Sequence, residues 1–150
     1  MASEARKFIA KSAQQPFLLI VGYSDPHRAE QNFGNSRAWP AIVRETYDPA
    51  KVIVPAHLPD LPDVRRDLAD YYESVSRLDS GVGLLLKALG EAGRSDDTLV
   101  IYLSDNGRPF PGAKTTLYDE GIHLPLIVSS PLQSKRGIRN QAMVSWVDIR

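Results

Sequence analysis

Hydrophobic positions in this chain fall into short continuous runs and one long periodic stripe. Phe17-Leu18-Leu19-Ile20-Val21, Leu99-Val100-Ile101-Tyr102-Leu103 and Leu124-Pro125-Leu126-Ile127-Val128 are unbroken apolar segments. The first suits a strand buried on both faces, as in a parallel sheet, the second reads as a buried strand and the third as another strand. Pro125 sits near the start of its run, where a missing N–H does least harm. Between the first two runs, Val64, Leu68, Tyr71, Val75, Leu78, Val82, Leu85 and Leu89 recur every three or four residues. This is one face of a long helix, predicted to begin near Asp63 with Asp60 or Asp63 as its cap and to end at Gly93. Gly81 and Gly83 interrupt the stripe, each weakening it by ~1 kcal/mol relative to Ala, and mark a close contact or a kink. Ala5, Phe8, Ile9 and Ser12 predict a short helix over residues 4–14, and Met143 to Ile149 the start of another. Residues 28–62 hold Pro40, Pro49, Pro55, Pro59 and Pro62 and little periodicity. They predict a long loop with a short strand at Val52-Ile53-Val54, and loops this long in compact domains are functional or disordered.

Strand, loop, helix, strand and strand give an α/β class, a sheet with helices on its faces. The 150 residues suit one domain, and 43% hydrophobic with 24% charged residues is a globular composition. Formal net charge is zero, with 18 basic and 18 acidic residues. Without a basic excess or a long Lys/Arg run, nucleic-acid binding is not expected. There is no cysteine, so thiolate chemistry and disulfides are excluded and the redox compartment stays undecided. No segment reaches the ~18 apolar residues of a membrane span. The start, MASEARKFIAKSAQQ, lacks the apolar core of a secretory signal. The final VSWVDIR reads as the middle of a structured segment, so the chain is expected to be part of a longer protein.

Candidate chemistry lies at the ends of the runs. Ligands of open α/β sheets sit outside the carboxyl ends of strands. One run ends in Ser24-Asp25-Pro26-His27 and another in Ser104-Asp105-Asn106-Gly107. Asp105 and Asn106 offer oxygen donors to a hard cation such as calcium or magnesium. The same four residues also make a good turn, since Asp and Asn form local side-chain turns and Gly accepts positive φ. His27 reads as a surface histidine or a functional one, and Lys114 as a solvated lysine or an anion ligand. Glu120 and His123 are potential ligands within what reads as a turn, and His57 gives no signal.

Taken in order, PFLLIVGYSDPHR, then YDPAKVIVPAHLPDLPDVRRDLADYYESVSRLDSGVGLLL, then LVIYLSDNGRPFPGAKTTLYDEGIHLPLIVSSP resembles the sulfatase family of the alkaline-phosphatase-like superfamily, over residues 16–149. The short PFPGAKTTLYDEG connection is most similar to the sulfamidase, or heparan N-sulfatase, branch. The resemblance implies that the chain is part of an alkaline-phosphatase-like sheet with helices on its faces. It implies that Asp105 and Asn106 ligate an active-site Ca2+, that Lys114 binds sulfate and leaving-group oxygens, and that His27 donates a proton to the leaving group. The implied substrate is a sulfated sugar or glycosaminoglycan, and the implied location is periplasmic, secreted or lysosomal, with any signal peptide upstream of Met1.

The resemblance also implies parts that are expected outside this chain. Sulfatases use a formylglycine made from Cys or Ser in a C/S-x-P/A-x-R motif near the amino end, and paired aspartates there complete the calcium site. Both are expected to be missing, with the C-terminal subdomain. Residues 1–150 are thus expected to be the central part of a sulfatase catalytic domain, inactive alone, with the remaining segments needed to complete the site. The alternatives are a phosphodiesterase or phosphonate hydrolase of the same superfamily, for which Asp/His metal clusters would be expected, and a non-catalytic module binding anions or a partner.

Overall fold

A computed structural model describes residues 2–12, 15–29 and 31–149. Its spine is helix α2, Pro62–Glu91, which follows the short helix α1, Ala2–Ser12. Thirty residues at 1.5 Å each make α2 about 45 Å long. Pro62 opens it at the first helical position, where its absent N–H is no loss. The cap position is Leu61, with no side-chain cap bond, so neither Asp60 nor Asp63 serves as the expected cap. Asp60 instead grips Arg65 through two hydrogen bonds of 2.5 and 2.7 Å. The far end closes as foreseen. Gly93 has φ +69° and donates to Gly90 O (2.9 Å), while Arg94 N–H donates to Leu89 O (3.1 Å), the paired bonds of a glycine-terminated helix.

Leu68, Leu78 and Leu89 of the stripe are buried, whereas Val75 is exposed. Leu68 and Ala69 pack with Phe33, Val52, Leu58 and Phe110 as one core cluster. Tyr71 meets Phe33 at 5.6 Å and Phe110 at 5.4 Å, both edge-on, the favoured arrangement of aromatic pairs. Burial raises the Tyr71 phenol above its ordinary pKa. Beside the apolar stripe runs a second buried stripe that is polar: Glu73, Ser74 and Arg77. They are spaced by one and three residues, so they share a helix face as the apolar residues do.

This polar face holds the long loop. Arg77 donates from Nε to Asp25 Oδ2 (2.8 Å), and from Nη2 to Asp25 Oδ1 (2.7 Å) and Phe33 O (2.8 Å). Its Nη1 donates to Asn35 Oδ1 (2.9 Å). Glu73 accepts from Arg44 at 2.6 and 3.2 Å, and Tyr23 Oη donates to Gly81 O at 2.8 Å. A Cβ on Gly81 would stand 2.8 Å from the Tyr23 ring, while one on Gly83 would meet nothing within 4 Å. Gly81 therefore marks a close contact and Gly83 does not.

Strands β1, Val100–Leu103, and β2, Leu126–Ser129, pair antiparallel, with Val100 opposite Ser129 and Leu103 opposite Leu126. Helices and sheet together agree with the α/β class in its coarse form. No residue of either strand is fully buried. Phe17–Val21, expected as a buried strand, is extended without a strand partner among the described residues. Leu18 and Ile20 stand 81% and 83% exposed, because no neighbouring strand or helix covers them. Val52–Val54 is likewise not a strand. Side chains of α2 take the place of a ladder, Arg65 Nη1 donating to Val52 O (3.2 Å) and Tyr72 Oη to Ile53 O (3.1 Å). The helix expected over 143–149 is one 3-10 turn, Trp146–Asp148. The short helix expected over 4–14 is α1, residues 13 and 14 lying outside the described residues. Its buried Ala5 and Ile9 fall within the predicted face.

Two glycine substitutions separate contact from propensity. Gly83→Ala is expected to raise stability by ~0.5–1 kcal/mol. Gly81→Ala is expected to lower it by ~1–3 kcal/mol, since the Tyr23 ring must move. Urea midpoints of the two variants check this. Equal midpoints would mean that the Tyr23 contact is not held in solution.

Candidate active site

The loop that carries His27 is built on α2. Asp25 is fixed by Arg77 and by Ser74 Oγ (3.1 Å), and the Asp25–Pro26 peptide is cis. His27 N–H donates to Ser24 O at 2.8 Å, closing the turn. Arg28 then ties three pieces together. It donates to both oxygens of Asp67 on α2 (2.9 and 2.5 Å) and from Nε to Pro109 O (3.2 Å). Its guanidinium lies 4.8 Å from the centre of the Phe33 ring and 5.2 Å from that of Phe110. The hydrogen bonds with Asp67 hold the Arg28 pKa above its ordinary value.

Lys114 sits on the loop that follows β1. Its backbone N–H donates to Arg108 O (3.1 Å), and Ala113 N–H to Phe110 O (3.2 Å). The next residue, Thr115, has φ +67°, an unfavourable region for a β-branched side chain that costs ~1–3 kcal/mol. The Lys114 ammonium makes no hydrogen bond or ion pair with any described residue. It shares an open cleft of about 730 Å3 with His27. Leu58, Pro59, Val64, Pro109, Phe110 and Pro111 make the cleft's apolar walls. Arg28 and Asp67 also reach the cleft but satisfy one another.

Asp105 and Asn106 follow β1 after Ser104 and are not among the lining residues of that cleft. Asp105 is exposed, with no side-chain partner among the described residues. Asn106 donates from Nδ2 to Gly107 O (3.0 Å), which leaves its Oδ1 free to accept a cation. A carboxylate and a carboxamide oxygen fit calcium chemically but supply two of the six to eight ligands it takes. Among the described residues no group of three or more His, Cys, Asp or Glu is arranged to hold a metal.

The turn at 119–122 supports this loop. It is the one-turn helix α3, Asp119–Ile122, in accord with the turn reading. Gly107 lies against Glu120 and Gly121 so closely that a Cβ would overlap the Glu120 carbonyl, and Gly121 lies equally close to the carbonyls of Thr116 and Ala113. Glu120 pairs with Arg108 and stands 3.6 Å from His57 Nδ1. It is thus engaged structurally, and His57 gains a place that its sequence context did not signal. Asp119 and His123 do show an Asp-x-x-x-His spacing and meet at 3.5 Å, but both are widely exposed and no third ligand joins them.

Sequence reading passed over Arg77, Arg28 and Asp67, because charged residues on a helix face or in a loop ordinarily read as solvated. The one available signal was spacing: Ser74 and Arg77 lie one turn apart beside the apolar stripe. A Ser-x-Pro-x-Arg pattern, expected to be missing, does occur as Ser24-Asp25-Pro26-His27-Arg28. The fold commits Asp25 and Arg28 of this segment to ion pairs with α2, so it is read as a structural turn rather than the expected nucleophile motif.

Residues 1–149 match the Sulfatase family model. The chain belongs to the sulfatase family. It is 43% identical to N-sulphoglucosamine sulphohydrolase of Homo sapiens, an alignment that takes in 96% of this chain and 32% of that protein. It is 27% identical to an ulvan-active sulfatase of Formosa agariphila over 99% of the chain, and 26% identical to arylsulfatase K of Bos taurus over 93%. The chain spans about a third of the length of these relatives, 32%, 30% and 32% respectively. The family carries the alkaline-phosphatase-like α/β fold, in agreement with the elements seen here. No helix among the described residues is long and apolar enough to cross a membrane.

The glycine pair predicts how firmly the loop after β1 is held against α3. Gly121→Ala is expected to cost about 2–3 kcal/mol, since backbone rather than a flexible side chain would have to shift. Chemical denaturation measures it. Native stability in this variant would mean that the two loops part without cost.

Proposed function

We propose that this chain is the central part of a sulfatase catalytic domain and carries half of its active site. The full site would hydrolyse the sulfate ester or sulfamate of a sulfated sugar, in the manner of an N-sulfoglucosamine sulfohydrolase. The observation that carries this reading is the cleft. One lysine without a partner among the described residues and one histidine with a free ring nitrogen face an otherwise apolar or self-satisfied wall. A sulfuryl group is anionic, and charge grows on the leaving atom as its bond to sulfur breaks. Lys114 would bind the sulfuryl and leaving-group oxygens through charge-assisted hydrogen bonds. His27 would give its proton to the leaving nitrogen or oxygen.

Asp105 and Asn106 would contribute two oxygens to a calcium ion, which when bound supplies positive charge beside the reacting sulfuryl group. The remaining ligands and the formylglycine nucleophile would come from the other sulfatase segments. The sheet is proposed to be a portion of a larger one with helices on its faces, which those segments would complete. The whole protein's location is proposed to be periplasmic, secreted or lysosomal.

The purified chain is expected to show no turnover of a chromogenic aryl sulfate or of an N-sulfated glucosamine. Turnover that follows the chain through purification and vanishes in His27→Ala or Ser24→Ala would overturn the half-site reading. Placed in the corresponding segment of the human relative, the chain is expected to support calcium-dependent sulfamate hydrolysis. In that hybrid, His27→Ala and Lys114→Ala are each expected to lower kcat by on the order of 10²–10⁴-fold. A folded hybrid whose activity ignores both substitutions would sink the assignment of roles.

A further inference from the structure

The His27 ring has one hydrogen bond to a described residue. Its Nδ1 lies 2.7 Å from the carbonyl oxygen of Arg28. A carbonyl can only accept, so Nδ1 carries a proton in this contact, and in the neutral ring Nε2 carries the lone pair. That carbonyl belongs to a strongly held residue. Two guanidinium nitrogens of Arg28 fork onto Asp67 of α2, its Nε reaches Pro109 O on the Lys114 loop, and its Cζ lies over the rings of Phe33 and Phe110. A bidentate arginine–carboxylate pair fixes direction as well as distance.

We infer that Arg28 is a positioning residue for His27: it holds the imidazole as the Nδ1–H tautomer, so that Nε2 is the nitrogen that takes up and releases the reacting proton. The inference rests on the proposed role of His27 as proton donor, although the tautomer can be read without it. In the step itself, the Nε2–H bond of the imidazolium breaks and an N–H or O–H bond forms on the leaving atom. The electron pair of the severed bond to sulfur stays with that atom, and the ring returns to its neutral Nδ1–H form. Because the Arg28 side chain also binds Pro109 O, the same residue ties the histidine loop to the lysine loop.

The test is long-range proton–nitrogen NMR on the full chain with 15N-labelled histidine, above the pH at which the rings are charged. His27 is expected to show a protonated Nδ1 and an unprotonated Nε2. Arg28→Ala is expected to shift it towards the Nε2–H form that an unconstrained imidazole favours. Asp67→Asn, which breaks the fork and keeps Arg28, is expected to shift it in the same direction but less far. The widely exposed His123 serves as an internal reference that neither change should move. An Nε2–H tautomer in the unaltered chain overturns the inference even if no variant folds. So does an unchanged His27 signal in a folded Arg28→Ala or Asp67→Asn chain. A hybrid enzyme indifferent to His27→Ala would instead remove the catalytic role and leave the tautomer result standing.

Discussion

The guanidinium of Arg77 is the point on which the rest of the structure depends. Its side chain is 8% exposed, in the middle of a long helix. Burying an unpaired charge costs several kcal/mol, so this helix face is tolerable only with its partners in place. Those partners are Asp25, the Phe33 carbonyl and Asn35, all from the loop that carries His27, together with Ser74 one turn back on the helix. Helix burial and loop conformation are therefore one event. Among the described residues no buried side-chain nitrogen or oxygen is left without a partner, so the network closes on itself.

The same device repeats along α2, at varying depth. Arg65 takes Asp60 and three backbone carbonyls of the 49–52 turn, Asp67 takes Arg28, and Glu73 takes Arg44. Fixing each loop residue costs roughly 1–2 kcal/mol of backbone entropy, which a segment without regular structure cannot offset through its own hydrogen bonds. Exposed ion pairs are individually weak. Their effect here comes from direction: each bidentate fork sets the orientation of a loop against one rigid helix. The aromatic cluster of Phe33, Tyr71 and Phe110 adds the apolar burial that the forks lack.

Much of this was legible from residue order. The period of α2, its glycine end and the ends of two apolar runs at β1 and β2 followed from spacing alone, because helices and strands leave local signatures. His27 and Lys114 were named on their resemblance to a family, and the structure places them on one cleft. The clamps were not legible. Arg77 and Asp25 are 52 residues apart, and nothing in either neighbourhood says that the charge is buried. The run Phe17–Val21 misled for the opposite reason. Its composition reports how a strand would be covered, while among the described residues no strand or helix covers Leu18 or Ile20.

These two halves of the molecule differ in a way that bears on how such a site is assembled. The polar part, α2 with its loops, satisfies its own groups. The apolar part does not: Leu18 and Ile20 are bare, and Ile101 and Val128, opposite one another in the sheet, are both exposed. Exposed strands with free edges invite pairing, correct or otherwise. On the proposed reading, the loops that carry His27 and Lys114 are held by interactions internal to this chain. The surface left bare is the one on which added strands and helices would need to be apolar and of the right shape. A half-site built in this order can be shaped before the nucleophile arrives. Completing it then depends on hydrophobic burial, which is strong but undirected, while the direction has already been set by the forks on α2.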